Sequence, residues 1–207
     1  MKPKLRILLD ATLLSGVLAL GPSPAIAATV QVQVLGALGK PLALAAVFLE
    51  SREARQLVKP LASAEIAQVN KVFDPSVLVV PVGTSVQFPN RDTVRHHVYS
   101  FSPAKTFELK LYTGKDANPV VFDKVGIAIL GCNIHDNMTA WVVVVDTPYY
   151  GRTSKTGTVV LNNVPVGRYQ MRVWHPDLAV GAPAADETLI VGTADSTTTF
   201  RLSDVKQ

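Results

Sequence analysis

The only cysteine of the chain, Cys132, lies within seven residues of His135 and Met138 in the segment GCNIHDNM. A thiolate and an imidazole are strong ligands for copper, and a thioether is a weak, soft axial ligand. Two residues separate each neighbouring pair of these side chains, so one turn can direct all three inwards. The pattern therefore predicts a copper site that needs one more strong ligand from elsewhere in the chain.

The same residues suit other metals less well. Structural zinc usually takes four cysteine or histidine ligands, and calcium and magnesium take oxygen. Two alternatives to these ligand assignments stay open at this stage. Cys132 is an inert core thiol in the first, because free cysteine is among the most buried residue types. Met138 merely fills a gap in a core in the second.

The candidates for the missing ligand are the three other histidines, His96, His97 and His175. His96 and His97 open a predicted strand, and successive side chains of a strand point to opposite faces, so only one of the two can face the site. We prefer His96 and keep His97 as the alternative. His175 precedes Pro176 and is expected to be a surface or turn residue.

Asn90 and Asp92 either shape the turn before His96 or are ordinary turn residues, the second being preferred for Asp92. Trp141 and Trp174 are expected to be core aromatics.

Short β-branched runs separated by Gly, Pro, Asn and Asp dominate the rest of the sequence and predict an all-β protein built of sandwich modules. The helical candidate is 50–58, which Pro60 ends. The predicted strands are 29–36, 76–83, 84–88, 96–101, 126–131, 141–146, 156–161, 167–174, 187–191 and 197–202.

The region from Glu65 to Asp146 resembles the cupredoxins, the type 1 blue copper proteins, with a short ligand loop like that of amicyanin. The resemblance is carried by KVFDPSVLVVPVGTSVQFPNRD, RHHV and VGIAILGCNIHDNMTAWVVV. It implies a Greek-key β-sandwich that binds one copper ion. Carried over by position, the trigonal ligands are His96, Cys132 and His135, and Met138 is the long axial ligand. Many cupredoxins have Asn after the first ligand histidine to tie the ligand loops together, where this chain has His97.

A second resemblance is split along the chain. Residues 34–51 and 151–176 resemble a small immunoglobulin-like domain of the carboxypeptidase-regulatory type, on the motifs GKPL, TG, VPVGRY and VWHP. It implies an outer β-sandwich interrupted by the cupredoxin region. The predicted division is 1–27 signal peptide, 28–62 first outer strands, 63–146 cupredoxin domain and 147–207 remainder of the outer module. In the serial alternative, 28–50 pairs with the central region.

The N-terminus is typical of a secretory signal, with Lys2, Lys4 and Arg6 before an apolar stretch and an A-x-A pattern ending at Ala27. An uncleaved anchor is the alternative. Without residues 1–27 the chain has 17 basic and 15 acidic side chains, which gives no basic surface for nucleic acid. We expect a periplasmic protein without a membrane span in the mature chain. The whole chain is also similar to exported proteins named as methylamine utilisation proteins.

Four filled ligand positions leave none for a substrate, whereas a catalytic metal keeps one open. The sequence therefore predicts a one-electron carrier rather than an enzyme, with a transient redox partner protein. Two alternatives remain: a copper chaperone or buffer without a redox role, and a metal-free β-sandwich interaction module.

Overall fold

The computed structural model describes residues 27–114 and 118–206. These residues form strands and one short helix, α1 (Arg52–Gln56), which confirms the predicted all-β class. The strands up to the first histidine pair are β1 (Ala27–Gly36), β2 (Ala46–Glu50), β3 (Ala64–Glu65), β4 (Ala67–Val69), β5 (Val72–Asp74), β6 (Val77–Pro81), β7 (Thr84–Gln87) and β8 (His96–Ser102). The later strands are β9 (Lys105–Tyr112), β10 (Val120–Phe122), β11 (Gly126–Gly131), β12 (Thr139–Val145), β13 (Tyr150–Arg152), β14 (Thr158–Pro165), β15 (Gly167–Trp174), β16 (Ala185–Val191) and β17 (Ser196–Leu202).

Two sheets form what we call the outer module, with strand orders β14-β1-β17 and β13-β2-β15-β16. Strand β1 shows why they pack together. Val30, Val32 and Val34 are fully buried, whereas Gln31 and Gln33 between them are not. This period of two directs one face of the strand into a core that β2, β14, β15 and β17 also line.

Two further sheets form the inner module, with orders β6-β12-β11-β8-β9 and β10-β7-β3. Both contribute to one core, in which Val86 and Phe122 of the smaller sheet meet Val98 and Leu130 of the larger one. The inner module is therefore a β-sandwich. A hairpin of β4 and β5 adjoins it, because Gln68 of β4 bridges to Asn90 beyond the end of β7.

The strands β6 and β12 serve both modules. In β12, Val143 and Val145 belong to the outer core, whereas Val142 and Val144 belong to the inner core. Burial on both faces explains why the run WVVVV shows no polar alternation. It also fixes the strand that follows the cysteine loop between two packed layers.

The strands β1 and β2 pair with β14, β17, β13 and β15, all of which begin at Tyr150 or later. The domain bounds and the regulatory-type character of the outer module remain predictions. The predicted signal peptide lies outside the described residues except for Ala27. Within 27–114 and 118–206, no helix combines the length and the apolar character needed to cross a bilayer.

Candidate metal centre

The predicted ligands come from two neighbouring strands and one loop of the inner module. His96 is the first residue of β8, and Cys132 directly follows β11. The two strands are adjacent in the sheet, where Tyr99 pairs with Gly131. His135 and Met138 lie in the loop that leads into β12. In that loop the Met138 backbone N–H donates to the His135 carbonyl at 2.9 Å, which holds it in a tight turn.

Three of these side chains converge on one point. The Sγ of Cys132 lies 3.9 Å from Nδ1 of His96 and 4.0 Å from Nδ1 of His135. One donor atom from each of the three residues lies within 4.8 Å of the others. The structure thus brings together residues that are 36 positions apart in the sequence.

The separations fit a metal ion. Metal–nitrogen bonds of about 2.0 Å and metal–sulfur bonds of about 2.3 Å, spread about 120° apart, place the donors roughly 3.7 Å from each other. The observed distances of 3.9 and 4.0 Å need only a small contraction to reach this value. A sulfur donor with two ring nitrogens suits copper, and the cluster of His96, Cys132, His135 and Met138 is typical of a type 1 copper site.

Burial alone would allow Cys132 and Met138 to be simple core residues. Their exposed fractions are 4% and 1%, and both belong to the inner core. The direction of the sulfur distinguishes the two readings for Cys132, because its Sγ faces two imidazole rings. Met138 is buried in the same hydrophobic core as Cys132, and its role as the axial ligand remains a prediction.

The alternative ligand, His97, faces away from this cluster. Its Nε2 lies 2.9 Å from Oε1 of Glu108 on β9, and its ring packs beside Tyr99. Its Nδ1 is buried and has no hydrogen-bond partner among the described residues. His97 therefore takes the opposite face of β8, as alternation requires. In many cupredoxins an asparagine at this position ties the ligand loops together. Neither ring nitrogen of His97 makes such a bond to the cysteine loop.

Asp92 contacts His96, the predicted first ligand. Its Oδ2 lies 2.7 Å from Nε2 of His96, and its carboxylate also accepts the backbone N–H groups of Asn70 and Lys71 at 2.6 and 2.9 Å. Burial opposes ionisation of this carboxyl, but the bonds from Lys71, His96 and Asn70 outweigh that effect and lower its pKa below the ordinary value. The preference for Asp92 as an ordinary turn residue was wrong. The spacing of four residues to His96 was the available signal.

Asn90 holds the segment that precedes His96. Its amide donates to the carbonyls of Val94 and Tyr112, both at 2.8 Å, and its Oδ1 accepts the backbone N–H of Asp92. The backbone of Asn90 also exchanges bonds with Gly114. One buried amide therefore ties the end of β9 to the turn that carries Asp92.

A polar network not anticipated from the sequence lies beside these residues. The hydroxyl of Tyr112 donates to the Phe88 carbonyl at 2.5 Å and accepts from the fully buried Gln68 amide at 2.6 Å. Burial raises the pKa of Tyr112 to about 12, opposed by the Gln68 bond and reinforced by the charge of Cys132. The phenol therefore stays protonated at neutral pH and acts as a structural donor.

The remaining candidates serve the outer module. His175 is buried rather than at the surface, where it leads into a turn after β15. Its Nε2 donates to the Ala43 carbonyl at 2.9 Å, and its Nδ1 accepts the Asp177 backbone N–H at 3.1 Å. Trp174 lies in the outer core, and Trp141 packs against it with ring centroids 6.3 Å apart.

No protein-family model and no curated protein matches the chain. Solved structures do match. A purple cupredoxin from Nitrosopumilus maritimus is 26% identical, with 40% of this chain and 99% of that chain covered and a TM-score of 0.36. A reduced Cu(I) form of an amicyanin variant is 20% identical, covers 48% of this chain and 98% of that chain, and has a TM-score of 0.38.

A copper-containing nitrite reductase from Thermus scotoductus is 23% identical, with 54% of this chain but 28% of that chain covered and a TM-score of 0.38. Because these TM-scores are low, the assignment of the site rests on the donor geometry of this chain.

Proposed function

We propose that this protein is a type 1 copper protein of the cupredoxin kind that carries single electrons. The observation that carries the proposal is the convergence of one sulfur and two imidazole donors within 4.8 Å, at the end of a β-sandwich. Copper bound by these ligands can pass between Cu(I) and Cu(II), and the axial ligand and the surroundings of the thiolate tune its potential.

The chain holds the donors in place before any ion is bound. His96 and Cys132 stand at the ends of adjacent strands, and hydrogen bonds brace the segment before His96 and the loop of His135. A rigid set of donors lowers the rearrangement that accompanies a change of charge at the site. This property suits electron transfer.

The surface beside His135 suits a brief contact with a partner. His135 is half-buried, and its neighbour along the chain, Ile134, is 49% exposed, while Val94, two residues before His96, is 40% exposed. Complexes that transfer electrons often bury little area. Arg91 is paired with Glu65 at 2.6 Å, so its charge is partly neutralised and contributes little to steering.

We further propose that the protein is not an enzyme and that it works in the periplasm after export. His96, Cys132, His135 and Met138 together would fill the ligand positions and leave none for a substrate. The basic start of the chain and the A-x-A pattern ending at Ala27 support export. The resemblance of the sequence to exported methylamine utilisation proteins agrees with this location but assigns no substrate.

Voltammetry of the copper-loaded protein tests the proposal. We expect a reversible one-electron wave in the wild type that is lost in His96→Ala and kept in His97→Ala. Tight copper binding without a reversible wave would indicate a buffer or chaperone and would overturn the carrier function. A protein that binds no copper would be a metal-free module, which also contradicts the proposal.

A further inference from the structure

Two backbone N–H groups and one ring nitrogen converge on the carboxylate of Asp92, whose side chain is 13% exposed. Oδ1 accepts the backbone N–H of Asn70 at 2.6 Å. Oδ2 accepts the backbone N–H of Lys71 at 2.9 Å and lies 2.7 Å from Nε2 of His96. Each carboxylate oxygen therefore accepts a hydrogen bond from a backbone N–H. A side chain at position 92 must accept at both of its terminal atoms, as a carboxylate does.

This arrangement fixes the proton of His96. An ionised carboxylate has no proton to donate, so the short contact requires that Nε2 of His96 carries the hydrogen. In the neutral ring the other nitrogen, Nδ1, then has a free lone pair. That nitrogen is the one 3.9 Å from the sulfur of Cys132.

We propose that Asp92 is a positioning residue that holds His96 in the Nε2–H form and turns its Nδ1 toward Cys132. The tautomer is built into the metal-free chain. Its consequence for metal affinity rests on the proposed function. Partners of this kind orient metal-ligating histidines and raise their basicity in many sites.

The hairpin of β4 and β5 supplies the anchor for Asp92. Asn70 and Lys71 form its turn with φ values of 54° and 59°, the left-handed conformation that a tight hairpin turn requires. Their successive N–H groups both point at Asp92. The turn, the carboxylate and the ring thus form one chain of contacts that ends at Cys132.

The neighbouring histidine offers a matched control. Glu108 lies 2.9 Å from Nε2 of His97, and its side chain is 55% exposed. It therefore repeats the carboxylate–imidazole contact on the opposite face of β8, away from Cys132. Glu108→Gln and Asp92→Asn make the same chemical change on the two faces.

The first test needs no metal. Long-range ¹H–¹⁵N correlation spectra of the metal-free protein report which ring nitrogen of His96 carries the proton. We expect His96 as the Nε2–H tautomer in the wild type and in Glu108→Gln. In Asp92→Asn we expect a mixture of tautomers, because the new amide must turn its NH₂ toward one of the donors. An Nδ1–H tautomer of His96 in the wild type overturns the proposal, whether or not Asp92→Asn folds.

The second test uses Zn²⁺ as a redox-silent probe, with affinities measured by competition with a chelator. Loss of an outer partner typically weakens metal binding by about 10- to 100-fold, and we expect this for Asp92→Asn with little change for Glu108→Gln. Equal affinities for Asp92→Asn and the wild type contradict the positioning role. If the wild type shows the Nε2–H tautomer but binds neither Zn²⁺ nor Cu²⁺, the tautomer assignment stands and the proposed function fails.

Discussion

Two buried histidines, one in each module, show what distinguishes a candidate ligand from a structural residue. His175 of the outer module has both ring nitrogens engaged by the main chain, at Ala43 and Asp177. His96 of the inner module has one nitrogen on a carboxylate and the other directed at the sulfur of Cys132. Both residues have almost no exposed surface, at 5% and 0%.

Burial therefore does not identify the metal site. A histidine whose two nitrogens are satisfied by backbone groups has nothing to offer an ion. A histidine with one nitrogen held and one facing a thiol is arranged for coordination. Substitutions at corresponding places in the two modules should therefore differ in their effect on copper binding.

Substitution of the two adjacent histidines of β8 should give the largest difference in copper affinity. His96→Ala removes a donor atom, so we expect the affinity for Cu²⁺ to fall by more than about 100-fold, beyond the usual range for loss of an outer partner. His97→Ala should leave the affinity close to that of the wild type, because its ring faces Glu108. Competition titrations measure both. Equal losses would contradict the assignment of the inward face.

His175→Ala should lower the stability of the protein without lowering its affinity for copper. It leaves the Ala43 carbonyl and the Asp177 N–H without these bonds, which we expect to cost about 1–3 kcal/mol of the free energy of unfolding, before any loss of packing. Copper affinity should be unchanged. Urea denaturation and a copper titration check the two parts, and a clear loss of affinity would show that the modules are coupled more strongly than the contacts indicate.

Two glycines, one in each module, differ in the space available for an added Cβ atom. A Cβ added to Gly131, next to Cys132, would lie 2.6 Å from Cζ and Oη of Tyr99, whereas one added to Gly192 in the outer module meets nothing within 4 Å. We expect Gly131→Ala to cost about 1–3 kcal/mol of stability and to shift the copper absorption band. Gly192→Ala should change neither property. An unchanged spectrum in Gly131→Ala would mean that Tyr99 moves without disturbing the loop.

A small effect should appear at high pH in both modules alike. Burial raises the pKa of Tyr112 and of Tyr169 to about 12, in the latter case reinforced by Tyr149 and Glu53. Since a free tyrosine titrates near about 10, this contribution to stability is complete below pH 10 and is lost as the pH rises through 12. Absorbance at alkaline pH should show these two phenols titrating last, and Tyr112→Phe or Tyr169→Phe should remove one such step.

The sequence was sufficient for the fold class and for the neighbourhood of the site. Alternation in β1 and in the histidine strand follows from side-chain geometry, so the pattern predicted strands and limited the inward choice to one of His96 and His97. The spacing of Cys132, His135 and Met138 likewise indicated one loop. These features are local along the chain.

Features that depend on distant contacts could not be predicted in this way. The carboxylate of Asp92 is positioned by the turn at Asn70 and Lys71, about twenty residues earlier. The Gln68–Tyr112–Phe88 network joins three separate segments. The buried ring of His175 donates a hydrogen bond to the carbonyl of Ala43, 132 residues away. Each requires knowledge of which strands meet, and composition and periodicity do not supply it.

The most direct test of the central claim is the visible absorption spectrum of the Cu²⁺-loaded protein beside that of Cys132→Ser. If the sulfur of Cys132 donates to copper between two imidazoles, the wild type should show intense thiolate-to-copper absorption, and the folded variant should be colourless in that region. A wild type without this band, or a variant that keeps it, would contradict the account.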